Sequence, residues 1–364
     1  MADGLTSPSR VGFIGGASDG SFEQDNALFL KKFSGEILQT FEESNIFKPL
    51  HTIRTIESGK SAQFPVTGVA SASYHTPGEN IAEQGGASSK YLSDIHKTEK
   101  VINIDKMLLA STFLANIDDV KNHYDIRSVY ANELGKALAV RFDTAIAKSF
   151  IGAARSATNL AQAAKTGGRY NIADAEFGVT NIVAGTPEAF TGAELVAAMF
   201  AAAQKLDEND VAEDGRFCVL RPEDYYKLVT GADVGGAFSV AASAANKDVG
   251  GVGSLAGGNV PQVAGISIYK SNHIPSTDLS SSTGTNSGDA GASNDLFAAT
   301  DGYDADFSNT RGIVGHSAAV GTVKLLDLAT ESEYQIERQG TLFVAKYAMG
   351  HGILRPECAI ELIA

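Results

Sequence analysis

Three short motifs in this chain spell fragments of catalytic or nucleotide-binding loops, and each lacks the setting its chemistry needs. Gly59-Lys60-Ser61 has the ending of a phosphate-cradling loop, in which backbone N–H groups and a lysine hold phosphate oxygens. That loop requires a glycine five positions earlier and a strand-to-helix context. Arg54 stands at that position, and the flanking residues read as a β-strand. Gly16-Ala-Ser18-Asp-Gly20 has the spelling of a nucleophile elbow, but that turn exposes a serine only between a buried strand and a helix. Here its neighbours are the polar, glycine-rich start of the chain. Gly251-Val-Gly253-Ser-Leu-Ala256 resembles a dinucleotide fingerprint without a preceding strand or an acidic residue at the ribose spacing.

Metal and thiol chemistry fare no better. Asp301, Asp304 and Asp306 cluster, but Asn309 stands where a calcium loop counted from Asp304 would need glycine. The seven histidines form neither HExxH nor an i, i+4 pair. Cys218 and Cys358 are the only cysteines, with no CxxC spacing and no flanking acid or histidine that marks a nucleophile. A reducing compartment fits. No catalytic, cofactor or metal site is assigned.

The bulk numbers exclude further classes. With 364 residues, 43% hydrophobic and 20% charged, the chain folds, and into more than one lobe. A net charge of −14 opposes sequence-specific nucleic-acid binding, which leaves a basic footprint. No window has the roughly 20 apolar residues of a membrane span, and residues 1–25 read as an arm rather than a signal peptide.

The most telling element is a long β arm. His51–Val66 and His96–Asp105 read as strands, and the stretch between them is polar and rich in glycine and serine. A lone two-stranded ribbon is marginal in water, and its open edges invite other chains. Such an arm makes sense when another copy lies under it, which points to an assembly subunit. Residues 26–44 carry apolar side chains at helical spacing. A strong helix is expected from Asp118-Asp119 to about Arg155, with Gly135 a possible bend. A second is expected at 190–209, with Thr191 and Glu194 spelling a capping box. Arg216–Leu220 reads as a buried strand, Pro222 opens a short helix, and Gln262–Tyr269 reads as one strand. Together these suggest an α/β lobe. Residues 231–259 read as a loop and 276–310 as a low-complexity surface insertion. Val323–Leu328 and Gln335–Arg338 suggest one long strand, Thr341–Met349 a strand or short helix, and Cys358–Ile363 a closing strand.

Several of these segments together resemble the major capsid protein of T-seven-like podoviruses, in that family's order. They are Ser58-Gly-Lys-Ser-Ala-Gln-Phe-Pro-Val66, Pro77-Gly-Glu-Asn80, His96-Lys-Thr-Glu-Lys-Val-Ile-Asn-Ile-Asp105, Asn122-His-Tyr-Asp-Ile-Arg-Ser128, Ala319-Val-Gly-Thr-Val-Lys-Leu325, Ala345-Lys-Tyr-Ala-Met-Gly-His-Gly352 and Leu354-Arg-Pro-Glu357. The resemblance runs from about 26 to 357 and is thin over 156–300. It implies an α+β fold of the tailed-phage Hong Kong ninety-seven type. Residues 1–50 would be the N-terminal arm, 51–105 the E-loop, and 106–189 a peripheral domain with the spine helix at 118–155. Residues 190–315 would be the axial domain, and 316–364 the return strands.

The implied function is a structural shell protein. It would build hexamers and pentamers of an icosahedral head around double-stranded DNA, with scaffolding, portal and accessory proteins as partners, after assembly in the host cytoplasm. A cellular nanocompartment shell protein and an α/β enzyme on 190–315 are the alternatives. The expected interface comprises Ile53, Arg54, Glu57, Lys60, Phe64, Glu79, Lys97, Glu99, Lys100, Ile102 and Ile104. In that reading a neighbour partly buries the apolar members, and the charges set register.

Overall fold

The computed structural model describes residues 45–81 (69, 71 and 79 excepted), 95, 97–104, 107–115, 117, 126–156, 159, 165–177, 189–230, 262–279 and 305–364. The 26–44 helix, the start of the helix expected at 118, the 231–259 loop and the motifs at 16–20 and 251–256 fall outside the described residues. The chain divides into two units, each treated by itself.

One unit includes Met107–Phe142 and Leu326–Ala348. Strand β4 (Leu108–Ala115) pairs antiparallel with β12 (Gly340–Ile353), from Gly340↔Ala115 to Tyr347↔Leu108. Thr341–Met349 is thus strand, not helix. Gly340 is required at the end of this ladder, because a Cβ there would overlap the Phe113 ring and the Leu114 carbonyl. Helix α1 (Ile126–Arg155, 30 residues) begins in this unit and runs unbroken through Gly135. It carries Phe142 edge-on to Tyr347, with ring centroids 6.3 Å apart.

The second unit includes Ile46–Lys106, Asp143–Leu325 and Met349–Ala364. Its seven-stranded sheet has the order β6-β5-β13-β10-β7-β9-β8. The strands are β5 (Gly168–Asn171), β6 (Glu176–Phe177), β7 (Arg216–Leu220), β8 (Gln262–Val263), β9 (Ile266–Lys270), β10 (Thr310–His316) and β13 (Ala359–Ile363). β7 and β13 are buried at every position and apolar except for Arg216 and Glu361, as suits strands covered on both faces. Helix α2 (Gly192–Glu208) has the expected capping box and sets Leu195, Ala198, Met199, Ala202 and Leu206 against Cys218, Leu220, Ile360 and Leu362. On the other side of β7, Phe217 meets Phe150 of α1 edge-on at 5.3 Å. Helix α3 (Pro222–Thr230) follows β7.

Two local expectations are corrected. Gln262–Tyr269 is a tight hairpin, because Ala264 (φ 52°) and Gly265 (φ 76°) are both left-handed and reverse the chain between β8 and β9. The ends of the 276–310 insertion belong to the core. Phe307 is 1% exposed, Phe307 N–H donates to Thr277 O (3.2 Å), and Leu279 N–H donates to Ala305 O (3.1 Å). Residues 280–304 lie outside the described set.

Within this sheet, Glu361 on β13 is fully buried between two arginines. Arg155 donates to both its oxygens at 2.6 and 2.7 Å, Arg169 Nε at 3.0 Å and Thr310 Oγ1 at 2.7 Å. Charge-assisted, bidentate pairing offsets the desolvation of that carboxylate.

Candidate assembly interface

The arm is an antiparallel ribbon of β2 (Ser61–Thr67) and β3 (Lys97–Asn103), with Ala62 opposite Ile102 and Phe64 opposite Lys100. Alternation gives it two unlike faces. Ala62, Phe64 and Ile102 turn toward the body. Gln63, Pro65, Thr67, Lys97, Glu99 and Val101 are exposed on the other face. There Gln63 Nε2 donates to Glu99 Oε1 at 3.2 Å.

The base of the ribbon is moored to its own chain. Ala62 and Ile102 form a small core with Val323, against which Ile56, Phe64, Ile104 and Leu354 pack. Strand β1 (Thr52–Thr55) pairs parallel with β11 (Val320–Gln335), from Thr52↔Gly321 to Thr55↔Lys324. Arg54 then clamps the ribbon, donating to Gln63 O at 2.7 Å and lying 5.6 Å from the Phe64 ring centre. Missing Cβ atoms make room for this crossing. One at Gly350 would overlap the Asn103 carbonyl oxygen, one at Gly352 would sit 2.7 Å from Ile102, and one at Gly321 2.7 Å from Leu354. Farther out, the large apolar residues described are exposed: Tyr74 100%, Ile81 55% and Ile95 46%.

A model of the Gp10A-like major capsid protein family matches residues 63–363. The chain belongs to that family. It is 33% identical to the major capsid protein of Escherichia phage T7 over 336 residues, 92% of this chain and 90% of that protein. Identity to the major capsid protein of Enterobacteria phage T3 is 34% over 346 residues, 93% and 91% of the two chains. The solved capsid of the Cyanophage P-SCSP1u superposes with a TM-score of 0.70 at 38% identity, covering 99% of each chain. The fold is therefore the tailed-phage Hong Kong ninety-seven type. The protein is a structural component of the virion shell rather than an enzyme.

The structure redistributes the residues expected on the capsid interface. Ile102 is 3% exposed within its own chain, so its cover is intramolecular, whereas Phe64 and Ile104 pack on the same cluster and stay partly exposed. Ile53 and Arg54 lie on β1, hydrogen-bonded to β11, so the ribbon itself begins at Ser61 rather than at 51. Local sequence could not show this, because the partner strand is more than 250 residues away. Glu57, Lys60, Lys97 and Glu99 are exposed, Lys100 is half-buried, and Glu79 lies outside the described residues. Tyr74, Ile81 and Ile95 also stand exposed on the arm. Their signal is a large apolar residue isolated in a polar segment, which periodicity does not register. Gly59-Lys60-Ser61 sits in the β1–β2 turn, with Gly59 at φ 116°, and so cannot cradle phosphate at a helix start. Burial pushes both thiols up, Cys358 to about 12, so neither is a ready nucleophile. No group of metal ligands occurs among the described residues.

A histidine cluster underlies the capsid arm's mooring. His351, between Gly350 and Gly352, is hydrogen-bonded to Thr322, with Nδ1 and Oγ1 2.8 Å apart. His51 Nδ1 lies 2.7 Å from Phe47 O, and His273 Nδ1 lies 3.0 Å from Asp143 Oδ2, which also accepts from Ile46 N–H. Burial, aided by His51, pushes His351 down to about 3, and burial also lowers His51. Above pH 6.5 His351 is neutral in both folded and unfolded chains. Below it only the unfolded chain takes the proton, so stability falls from pH 6.5 toward pH 3. Urea denaturation of the unassembled subunit should show a loss of about 2 kcal/mol between pH 7.5 and 5 from this group alone. His351→Asn should flatten that slope by about one proton.

Proposed function

We propose that this subunit closes into hexamers and pentamers of an icosahedral head enclosing double-stranded DNA, and that its arm lies across the adjacent copy of the same capsomer. The observation that carries this reading is the contrast along the arm. Its base is packed into its own chain, whereas Tyr74, Ile81, Ile95 and the outer face of β2 and β3 are left exposed. Fixing the base reduces the ordering cost of docking the far end. Exposed Glu57, Lys60, Lys97 and Glu99, together with Glu79, set register against a like subunit more than they add affinity.

In this scheme residues 1–50 form the N-terminal arm and 51–105 the E-loop. Residues 106–189 form the peripheral domain, 190–315 the axial domain and 316–364 the return strands. Assembly proceeds in the bacterial cytoplasm with a scaffolding protein and a portal, and accessory proteins dock on the finished shell. A chain of net charge −14 surrounds DNA without reading its sequence.

Deleting residues 67–95 tests the reading. The variant should keep its helical far-UV spectrum and sediment as free subunits. Shells of normal size from it would sink the arm's role.

A further inference from the structure

Strand β7 joins two ends of opposite charge. At its start, a cleft of 640 Å³ is lined by Asp207, Glu213, Asp214 and Arg216, with Ser267 and Tyr269 on its β9 wall. Arg216 is committed to Asp207 (2.7 Å) and to two backbone carbonyls. Glu213 and Asp214 form no ion pair among the described residues and are exposed, so the mouth is acidic. At the other end of β7, about 13 Å away at strand rise, four cations gather. They are Arg221, Lys227 on α3, Lys270 beside Leu220 on β9, and Arg311 on β10. Their counter-charges are Glu223 and the fully buried Asp224, to which Lys227 Nζ donates at 3.0 Å. Burial and Arg311 both lower the Arg221 guanidinium to about 10, as expected where cations crowd. Lys270 projects beside the half-exposed Tyr226, its Nζ 3.3 Å from the phenol oxygen.

We propose that neighbouring copies meet head to tail in the capsomer, the cationic end of β7 on one copy, led by Lys270, Tyr226 and Lys227, seating in the acidic cleft at the start of β7 on the next. This rests on the shell reading above and names its contact surfaces. A closed ring needs two different, complementary patches on each subunit, and one strand of this lobe carries both. Complementary charge gives such a contact orientation and encounter rate, and salt weakens it.

Two charge-reversed chains test the idea: Glu213→Lys with Asp214→Lys, and Lys227→Glu with Lys270→Glu. Each alone should lower the yield of assembled particles by roughly tenfold or more; the cleft variant should keep the wild-type melting temperature, whereas the cationic-end variant should melt lower because buried Asp224 loses Lys227. Lys270→Glu alone serves if the double change at the cationic end unfolds the lobe. Co-expressed, the two chains complement each other only by alternating around the ring. Alternation closes for an even number of copies and fails for an odd number. Electron microscopy should therefore find six-membered rings restored and five-membered vertices missing.

Wild-type assembly by either chain alone would overturn the proposal, as would folded chains that stay apart when mixed. Normal shells that fail to retain DNA in the cationic-end variant would assign that end to nucleic acid instead. If the unaltered chain forms no shells, the shell reading fails rather than this one.

Discussion

Gly350→Ala should abolish assembly and destabilise the subunit by about 3 kcal/mol or more, well above the usual cost of one extra methyl group in a core. The added Cβ would overlap the Asn103 carbonyl oxygen and lie 2.9 Å from both the Asn103 carbonyl carbon and Ile104 Cα. These are backbone atoms, so no rotamer change relieves the clash. Either β3 lifts off β12, exposing the Ala62–Ile102–Val323 cluster, or β12 distorts around His351. Both release the arm. Gly135→Ala provides the contrast: nothing lies within 4 Å of the new methyl group, and a helix interior favours alanine by about 0.5–1 kcal/mol. Thermal denaturation and sedimentation of the two variants should therefore move in opposite directions. A Gly350→Ala chain with normal melting and normal shells would refute the mooring.

Removing the buried carboxylate of Glu361 should be comparably costly. Glu361→Ala leaves Arg155 and Arg169 without their shared acceptor, and breaking one side of such a pair costs about 3–5 kcal/mol. The guanidinium of Arg155 also lies 5.2 Å from the Phe307 ring centre, so disorder there reaches the stem of the insertion. The side chains of Arg155 and Arg169 are 19% and 32% exposed, so water recovers part of the loss and the lower half of that range is expected. Replacing Arg155 and Glu361 together by methionine should cost less than the sum of the single changes, because their energies are coupled. Urea titration of the four chains measures this directly.

The sequence is most readable where one local rule governs. Thr191 and Glu194 specify the start of α2, the apolar run Arg216–Leu220 specifies a strand covered on both faces, and α1 ends at Arg155 as its periodicity indicates. The tight turn at Ala264-Gly265 was not legible, because alanine rarely takes a left-handed conformation. Nor were the arm's internal contacts. Whether Ile102 faces a neighbour or its own body depends on Val323 and Leu354, which no window around residue 100 contains. The same limit hid the role of Gly350 and Gly352. Their spacing helped to carry the family resemblance, but only the crossing of β3 over β12 shows why side chains are excluded there.

The pinned stem between Leu279 and Ala305 has an evolutionary consequence. With both ends of the intervening segment clasped to the lobe, lengthening it adds a loop-closure cost to the stem of only about 0.6 kcal/mol for each doubling. Descendant phages can therefore enlarge that stretch without unpairing the stem that clasps it. An engineer could graft a foreign epitope at the same slot.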